Sequence, residues 1–228
     1  MKTAFIQAIQ LIFSGNKQLH NIIGVTLRMG LTSSLISLLL GAPLGILLGS
    51  YDFGGKRILV VINRTLMGLP PVVCGLICYM LFSGVGPLRH LHLLYTVKGM
   101  IIAQVILITP LVIGNVETYI SSVAPAIRET AYGMGLKAGQ IMMLIMNESH
   151  YQILSAYLFG LGRAFAEVGA ISMVGGAIAF KTNVMTTAIM NYSNMGNSVM
   201  ALSLGIILVG ISFTINILVS FIHNRLSK

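Results

Sequence analysis

Residues 22–48 read IIGVTLRMGLTSSLISLLLGAPLGILL. Arg28 is the only charge in this run. As a helix rising ~1.5 Å per residue the run is ~40 Å long, more than the ~30 Å hydrocarbon core of a bilayer. Backbone amides and carbonyls cannot stay unpaired in hydrocarbon, so such a segment crosses lipid as an α-helix. Gly41 and Gly45 inside it and Gly49 just after it fall four apart, a doubled G-x-x-x-G that lets a second helix approach to backbone contact. Four more runs share its character, at residues 58–82, 97–116, 153–180 and 199–222. The expected fold is all-α: a polytopic membrane protein with five transmembrane helices, forming one domain over residues 1–228.

Composition agrees. Of 228 residues 56% are apolar and 8% charged, with mean hydropathy +0.90, against about 25% charged in soluble domains. A soluble enzyme, a nucleic-acid-binding domain and a disordered linker are excluded. The net charge of +9 comes from basic residues scattered singly, Lys56-Arg57 being the one adjacent pair, which suits contact with anionic lipid. Cys74 and Cys78 lie four apart in an apolar run and read as buried, reduced thiols. At the N-terminus Gln7 and Gln10 interrupt the apolar stretch from Ala4 to Phe13, and no small-residue cleavage site follows. Residues 1–21 therefore read as a retained, interfacial amphipathic segment.

Five spans put the two ends on opposite sides. Lys2, Lys17, Arg89, Lys98 and Lys181 fall on one side, and Lys56, Arg57, Arg128, Lys137, Arg225 and Lys228 on the other. That difference is too small for the positive-inside rule to choose an orientation. The longest interruption, residues 117–152, reads as a helix-turn-helix: Ser122 as cap with Pro125 in the first turn, a break at Gly133 and Gly135, and a second helix from Lys137 to Met146. Met142, Met143 and Met146 give it an adaptable surface. An interfacial hairpin is the alternative.

No residue reads as catalytic. The stretch from Ser50 to Arg57 fails as a P-loop, because Ser50 stands where the first glycine belongs and Arg57 where a hydroxyl must reach Mg²⁺. There is no G-x-S-x-G and no H-E-x-x-H. His90 and His92 lie in a loop without a carboxylate or thiol nearby and read as solvated, so no metal and no cofactor is expected on this chain. Two intramembrane features are more informative. Arg163 and Glu167, four apart, are expected to share a helix face and to pair, either locking helices or lining a path. Pro70 and Pro71, after Gly68-Leu69, are expected to kink or break the second span, and polar backbone exposed at a break requires protein or a wet cavity beside it.

Glu129-Thr130-Ala131, then Gly135, then Ile145 resembles the E-A-A…G…I-x-L-P signature of membrane subunits of ATP-binding-cassette importers, with Thr130 for the middle alanine and Asn147-Glu148 in place of Leu-Pro. The segments Asn63–Val73 and Gly162–Gly176, with Met185-Thr186-Thr187-Ala188-Ile189, are similar to those of tungstate permeases in the molybdate, sulfate and tungstate group. The resemblance runs from about Gly24 to Asn216. It implies that residues 117–152 are a cytoplasmic loop whose coupling helix docks in a groove of an ATPase subunit, with Glu129, Thr130, Ala131, Gly135 and Ile145 as coupling residues. It further implies a permease homodimer in the inner membrane, a pair of cytoplasmic ATPase subunits that use ATP and Mg, and an extracytoplasmic oxyanion-binding protein. The N-terminus is then outside and the C-terminus cytoplasmic. Pro70, Pro71, Arg163, Glu167, Gly169, Gly175 and Gly176 become candidates for the path or its gate, with glycine backbone offering weak donors to the anion. Two rival functions stay open at this point: an ATP-independent secondary transporter or channel, and an importer permease for another small solute such as an amino acid.

Overall fold

The structure is a computed structural model that describes residues 2–13 and 17–226. Among the described residues all regular structure is helical. In chain order the α-helices are α1 (Lys2–Phe13), α2 (Lys17–Ser50), α3 (Lys56–Met67), α4 (Pro71–Phe82), α5 (Val97–Gly133), α6 (Ala138–Glu148), α7 (His150–Ala166), α8 (Gly169–Gly175), α9 (Met185–Asn194) and α10 (Ser198–Leu226), with a short 3₁₀ turn at Arg89–Leu91. Three helices, α2, α5 and α10, are each long and apolar enough to cross a membrane. The broken pairs α3/α4 and α7/α8 raise the number to five if each pair is one span.

Several expectations need correction. The helix of the third span does not end at Val116: α5 continues to Gly133, with Pro110 and Pro125 inside it. Ser122 therefore caps nothing, and its hydroxyl donates to the Tyr119 carbonyl 2.7 Å away. Pro125 removes one backbone donor, yet Ile120, Ala124 and Ala131 sit in one buried apolar cluster and hold the helix through it. The fourth span is likewise discontinuous, because α7 stops at Ala166 and Glu167-Val168 are non-helical. An additional helix, α9, occupies what reads in the sequence as a loop.

The chain divides into two compact units, one of Met1–Leu31, Pro71–Ala103 and Phe165–Lys228, the other of Thr32–Pro70 and Gln104–Ala164. In the second unit the glycine stripe of α2 meets α5. A methyl carbon built at Gly41 would lie 2.9 Å from Val112 Cβ, at Gly45 2.7 Å from Val116 Cβ, and at Gly49 2.6 Å from Ile120 Cβ. Both helices advance four residues per contact, so the stripe is helix packing, as its spacing predicts. Another side of α2 carries Leu35, Leu39 and Leu47, each at least half exposed, as suits a face turned to lipid. A buried glutamine fastens the same unit. Ser33 Oγ donates to Gln104 Oε1 at 2.6 Å, and Gln104 Nε2 donates to the Ala164 carbonyl at 2.8 Å, so α2, α5 and α7 share one polar node.

In the first unit α1 packs on α10. Ala8, Leu19, Ile22, Met185, Ala188, Leu204 and Ile207 form one apolar cluster, and Met29, Met100, Ile171 and Val184 another. Here α4 and α8 approach closely, with a methyl at Gly75 only 2.6 Å from Ala170 Cα.

Candidate functional site: a coupling turn and two broken spans

The end of α5 and the start of α6 are built by the motif residues themselves. Gly135 adopts φ +74°, the left-handed region that a side chain rarely enters. The Leu136 amide then bonds the Ala131 carbonyl, and the Gly135 amide bonds the Tyr132 carbonyl, both at 3.0 Å. This is a Schellman cap, with its usual apolar contact in place: Leu136 packs on the cluster that contains Ala131. Two residues later the Gln140 side chain accepts from the Lys137 amide at 2.9 Å and closes the first turn of α6. Ile141 and Ile145, four apart, turn inward to the same cluster as Ala131. Hence Ala131, Gly135 and Ile145 shape the turn, while Glu129 and Thr130 face outward.

What remains on the surface is apolar and soft. Tyr132, Met134, Met143 and Met146 are 63%, 71%, 74% and 48% exposed. Met142, expected among them, is instead partly buried against the cluster. A single residue, Ser149, separates α6 from α7; its amide and hydroxyl both donate to the Ile145 carbonyl. Without Leu-Pro at 147–148, the second helix thus runs almost directly into the next one. The loop between α2 and α3 lies alongside: the Arg128 guanidinium is 5.4 Å from the centre of the Tyr51 ring. Lys56 Nζ meets Asp52 Oδ1 at 2.9 Å and holds that carboxyl below its ordinary pKa. The Asp52 side chain is 91% exposed, so the pair adds little to stability.

The breaks have different causes. At the first, α3 closes on Gly68, whose amide caps the last turn, Leu69 and Pro70 are non-helical, and Pro71 opens α4 at the one helical position that suits proline. The sequence places this break correctly, and it is a full interruption instead of a kink. At the second, Glu167 is 4% exposed; its Oε1 accepts from the Ala170 amide at 3.1 Å, and its carbonyl accepts from Thr186 Oγ1 at 2.8 Å. The shared helix face assumed for Arg163 and Glu167 required a continuous helix, and α7 ends between them. The three candidate glycines act in packing and capping. Gly169 lies against Val72, Gly175 against Met100, and Gly176, at φ +67°, donates its amide to the Ser172 carbonyl.

Residues 41–228 match the family described as the binding-protein-dependent transport system inner membrane component. The chain belongs to that family. It is a membrane permease subunit of the ATP-binding-cassette type. It is 34% identical over 212 residues, 93% of each chain, to the tungstate uptake system permease protein TupB of Peptoclostridium acidaminophilum. It is 34% identical over 212 residues, 91% of each chain, to a probable anion ABC transporter permease protein of Haloferax volcanii. With the TupB of Campylobacter jejuni it shares 33% identity over 224 residues, 98% of this chain and 92% of the relative. Family membership decides against the self-contained secondary transporter or channel.

Three groups in this permease escaped the sequence reading. Glu117 is 6% exposed, accepts from Ser121 Oγ at 3.1 Å, and lies 3.9 Å from Arg64. Beside it Asn63 Nδ2 donates to the Pro110 carbonyl at 3.1 Å, and Met67 fills the space left by Gly114. Asn63, Arg64 and Met67 thus read along α5 at Pro110, Glu117 and Gly114, which gives the Asn63–Val73 segment its physical role. The signal for Arg64 was available, since an isolated charge within a span demands a partner. Nothing in the spacing pointed to Glu117. The third group is a set of threonines: Thr182 donates to the Gly175 carbonyl, Thr186 to that of Glu167, and Thr26 Oγ1 accepts from the Met185 amide. These bonds hold the α8–α9 segment, and only the tertiary fold reveals them.

Proposed function

We propose that the chain is the permease of an ATP-driven importer for tungstate, or for the similar dianion molybdate. Two copies pair in the inner membrane as one permease domain each. A pair of ATPase subunits, using ATP and Mg, binds from the cytoplasm, and an extracytoplasmic binding protein delivers the anion. The N-terminus lies outside and the C-terminus in the cytoplasm. The coupling turn supports this reading most directly. Ala131, Gly135 and Ile145 are spent on shaping a rigid turn, and that leaves Glu129, Thr130 and an exposed Tyr/Met surface, held outside any apolar cluster, for a protein partner. Similarity over nine-tenths of the chain to two tungstate uptake permeases supports the cargo. The path is assigned to the broken spans, at Pro70, Pro71, Arg163, Glu167, Gly169, Gly175 and Gly176. A dianion must leave as easily as it enters, so such a path uses dipoles and part-neutralised charge, not a deep cationic trap.

The test is uptake of labelled tungstate, molybdate and sulfate by cells that lack their own importers and express the three components. The expected result is tungstate or molybdate accumulation that stops on ATP depletion. Accumulation of an amino acid without any oxyanion, or oxyanion uptake that survives ATP depletion, would defeat the proposal.

A further inference from the structure

Between α4 and α5 the chain forms a pocket of about 530 Å³, open on one side and lined by Phe82, Gly84, Arg89, His90, His92 and Leu94. Phe82 and Leu94 supply an apolar floor, and three nitrogen-bearing side chains, all exposed, supply the rim. Arg89 Nη1 makes a long hydrogen bond, 3.5 Å, to the Gly84 carbonyl. None of the five acidic residues of the sequence falls within residues 83–96, so no carboxylate on this loop neutralises the rim. Arg89 opens the 3₁₀ turn and His92 closes it in the left-handed region, and both line the pocket.

The rim is also held in place. The amides of Gly86, Leu88, Arg89, Leu91 and His92 all bond carbonyls within the loop or α4, and the Tyr95 amide bonds the Val174 carbonyl at 2.9 Å. A methyl at Gly86 would lie 2.2 Å from the Met80 carbonyl oxygen, so the loop closes on α4 as only glycine permits. Thr96 Oγ1 accepts from the Gly99 amide and caps α5 directly behind the rim. A loop with so many of its own backbone bonds satisfied does not need its side chains for folding. The Arg89 guanidinium and the two imidazoles remain available as donors.

We propose that this pocket is a receiving site for a tetrahedral oxyanion at the outer end of the passage, occupied after the anion leaves its binding protein and before it moves inward. The inference rests on the orientation given under Proposed function, which places residues 83–96 outside. One guanidinium and two imidazoles give a planar fork and two further donors for a tetrahedral dianion. The open side keeps the rim hydrated and the hold weak, as onward passage requires. The phosphate of an anionic lipid has the same chemistry and is the competing source.

The test uses the permease–ATPase complex in nanodiscs of phosphatidylcholine alone, with ¹⁵N-labelled histidine rings assigned by His90→Asn and His92→Asn. Sodium tungstate is titrated against sodium chloride of equal ionic strength. The expected result is a saturable shift of both rings with tungstate only. Arg89→Gln should raise the half-saturating concentration about ten-fold, the loss of one charge-assisted bond, and Arg89→Lys should raise it less. Equal shifts with chloride, or none with tungstate, would overturn the proposal. So would shifts that appear when phosphatidylglycerol is added to the discs and that tungstate fails to displace, which would assign the pocket to lipid. A cysteine at Val85, which is 97% exposed, tests the orientation separately. If an impermeant reagent labels it only from the cytoplasmic side, the orientation is wrong while the titration still decides whether the pocket binds the anion.

Discussion

The two units hold themselves together in opposite ways. In the unit of Thr32–Pro70 and Gln104–Ala164, three glycines of α2 interlock with three branched residues of α5, and the turn at Gly135 closes on the apolar cluster at the end of α5. Contact is made by shape, repeated every four residues. In the other unit the segment from Glu167 to Met185 is interrupted, and threonine hydroxyls bonded to free carbonyls and amides tie it down. A stack of interlocked residues carries a push without deforming. A segment held by single hydrogen bonds, each with a net worth of about 1 kcal/mol, can rearrange at small cost.

Filling the stripe should do the most damage. Gly45→Val would place a carbon 2.7 Å from Val116 Cβ and 2.9 Å from the Ile113 carbonyl oxygen, and overpacking of this kind costs about 1 to 3 kcal/mol. The expected outcome is a large fall in melting temperature or in yield of the assembled complex. Gly205→Val, where no heavy atom lies within 4 Å of the new carbon, should change either by little. Equal effects at the two sites would remove the claim that the stripe carries the packing. Thr186→Val comes next: it deletes the bond to the Glu167 carbonyl and should cost about 1 kcal/mol in thermal stability. A loss as large as that of Gly45→Val would erase the difference between the units. The smallest effect is expected at Arg64 and Glu117. At 3.9 Å, with the Arg64 side chain 65% exposed, a double-mutant cycle of Arg64→Gln and Glu117→Gln should return a coupling of about 1 kcal/mol or less. A coupling of several kcal/mol would mean that the pair is desolvated in the assembled transporter.

The same contrast explains what the sequence disclosed. Spans are legible because lipid enforces length and apolarity, and the break at Pro70-Pro71 is legible because proline lacks a donor. The stripe shows in spacing alone, whereas the residues around Gly135 stand out through their resemblance to a family signature. The second break does not. No proline or glycine marks the end of α7 at Ala166; the break is held by the Glu167 carboxylate on α8 and by Thr186 on its carbonyl. The helix through Ser122 and Pro125 misled for the matching reason, because local capping signals there yield to burial of Ile120 and Ala124. Helix breaks made by distant side chains leave no local pattern to read.

Under the proposed function, the turn around Gly135 joins ATP hydrolysis to anion movement. This is tested by measuring tungstate uptake and ATP hydrolysis together in proteoliposomes holding the complete transporter, for the wild type, Glu129→Arg and Gly135→Pro. Glu129 is exposed, so its replacement is expected to leave the fold intact, whereas Gly135→Pro removes the left-handed residue of the cap. Both variants are expected to insert in the membrane, and hydrolysis stimulated by loaded binding protein and tungstate uptake are expected to fall together by about ten-fold or more. Wild-type stimulation and uptake in both variants would contradict that role.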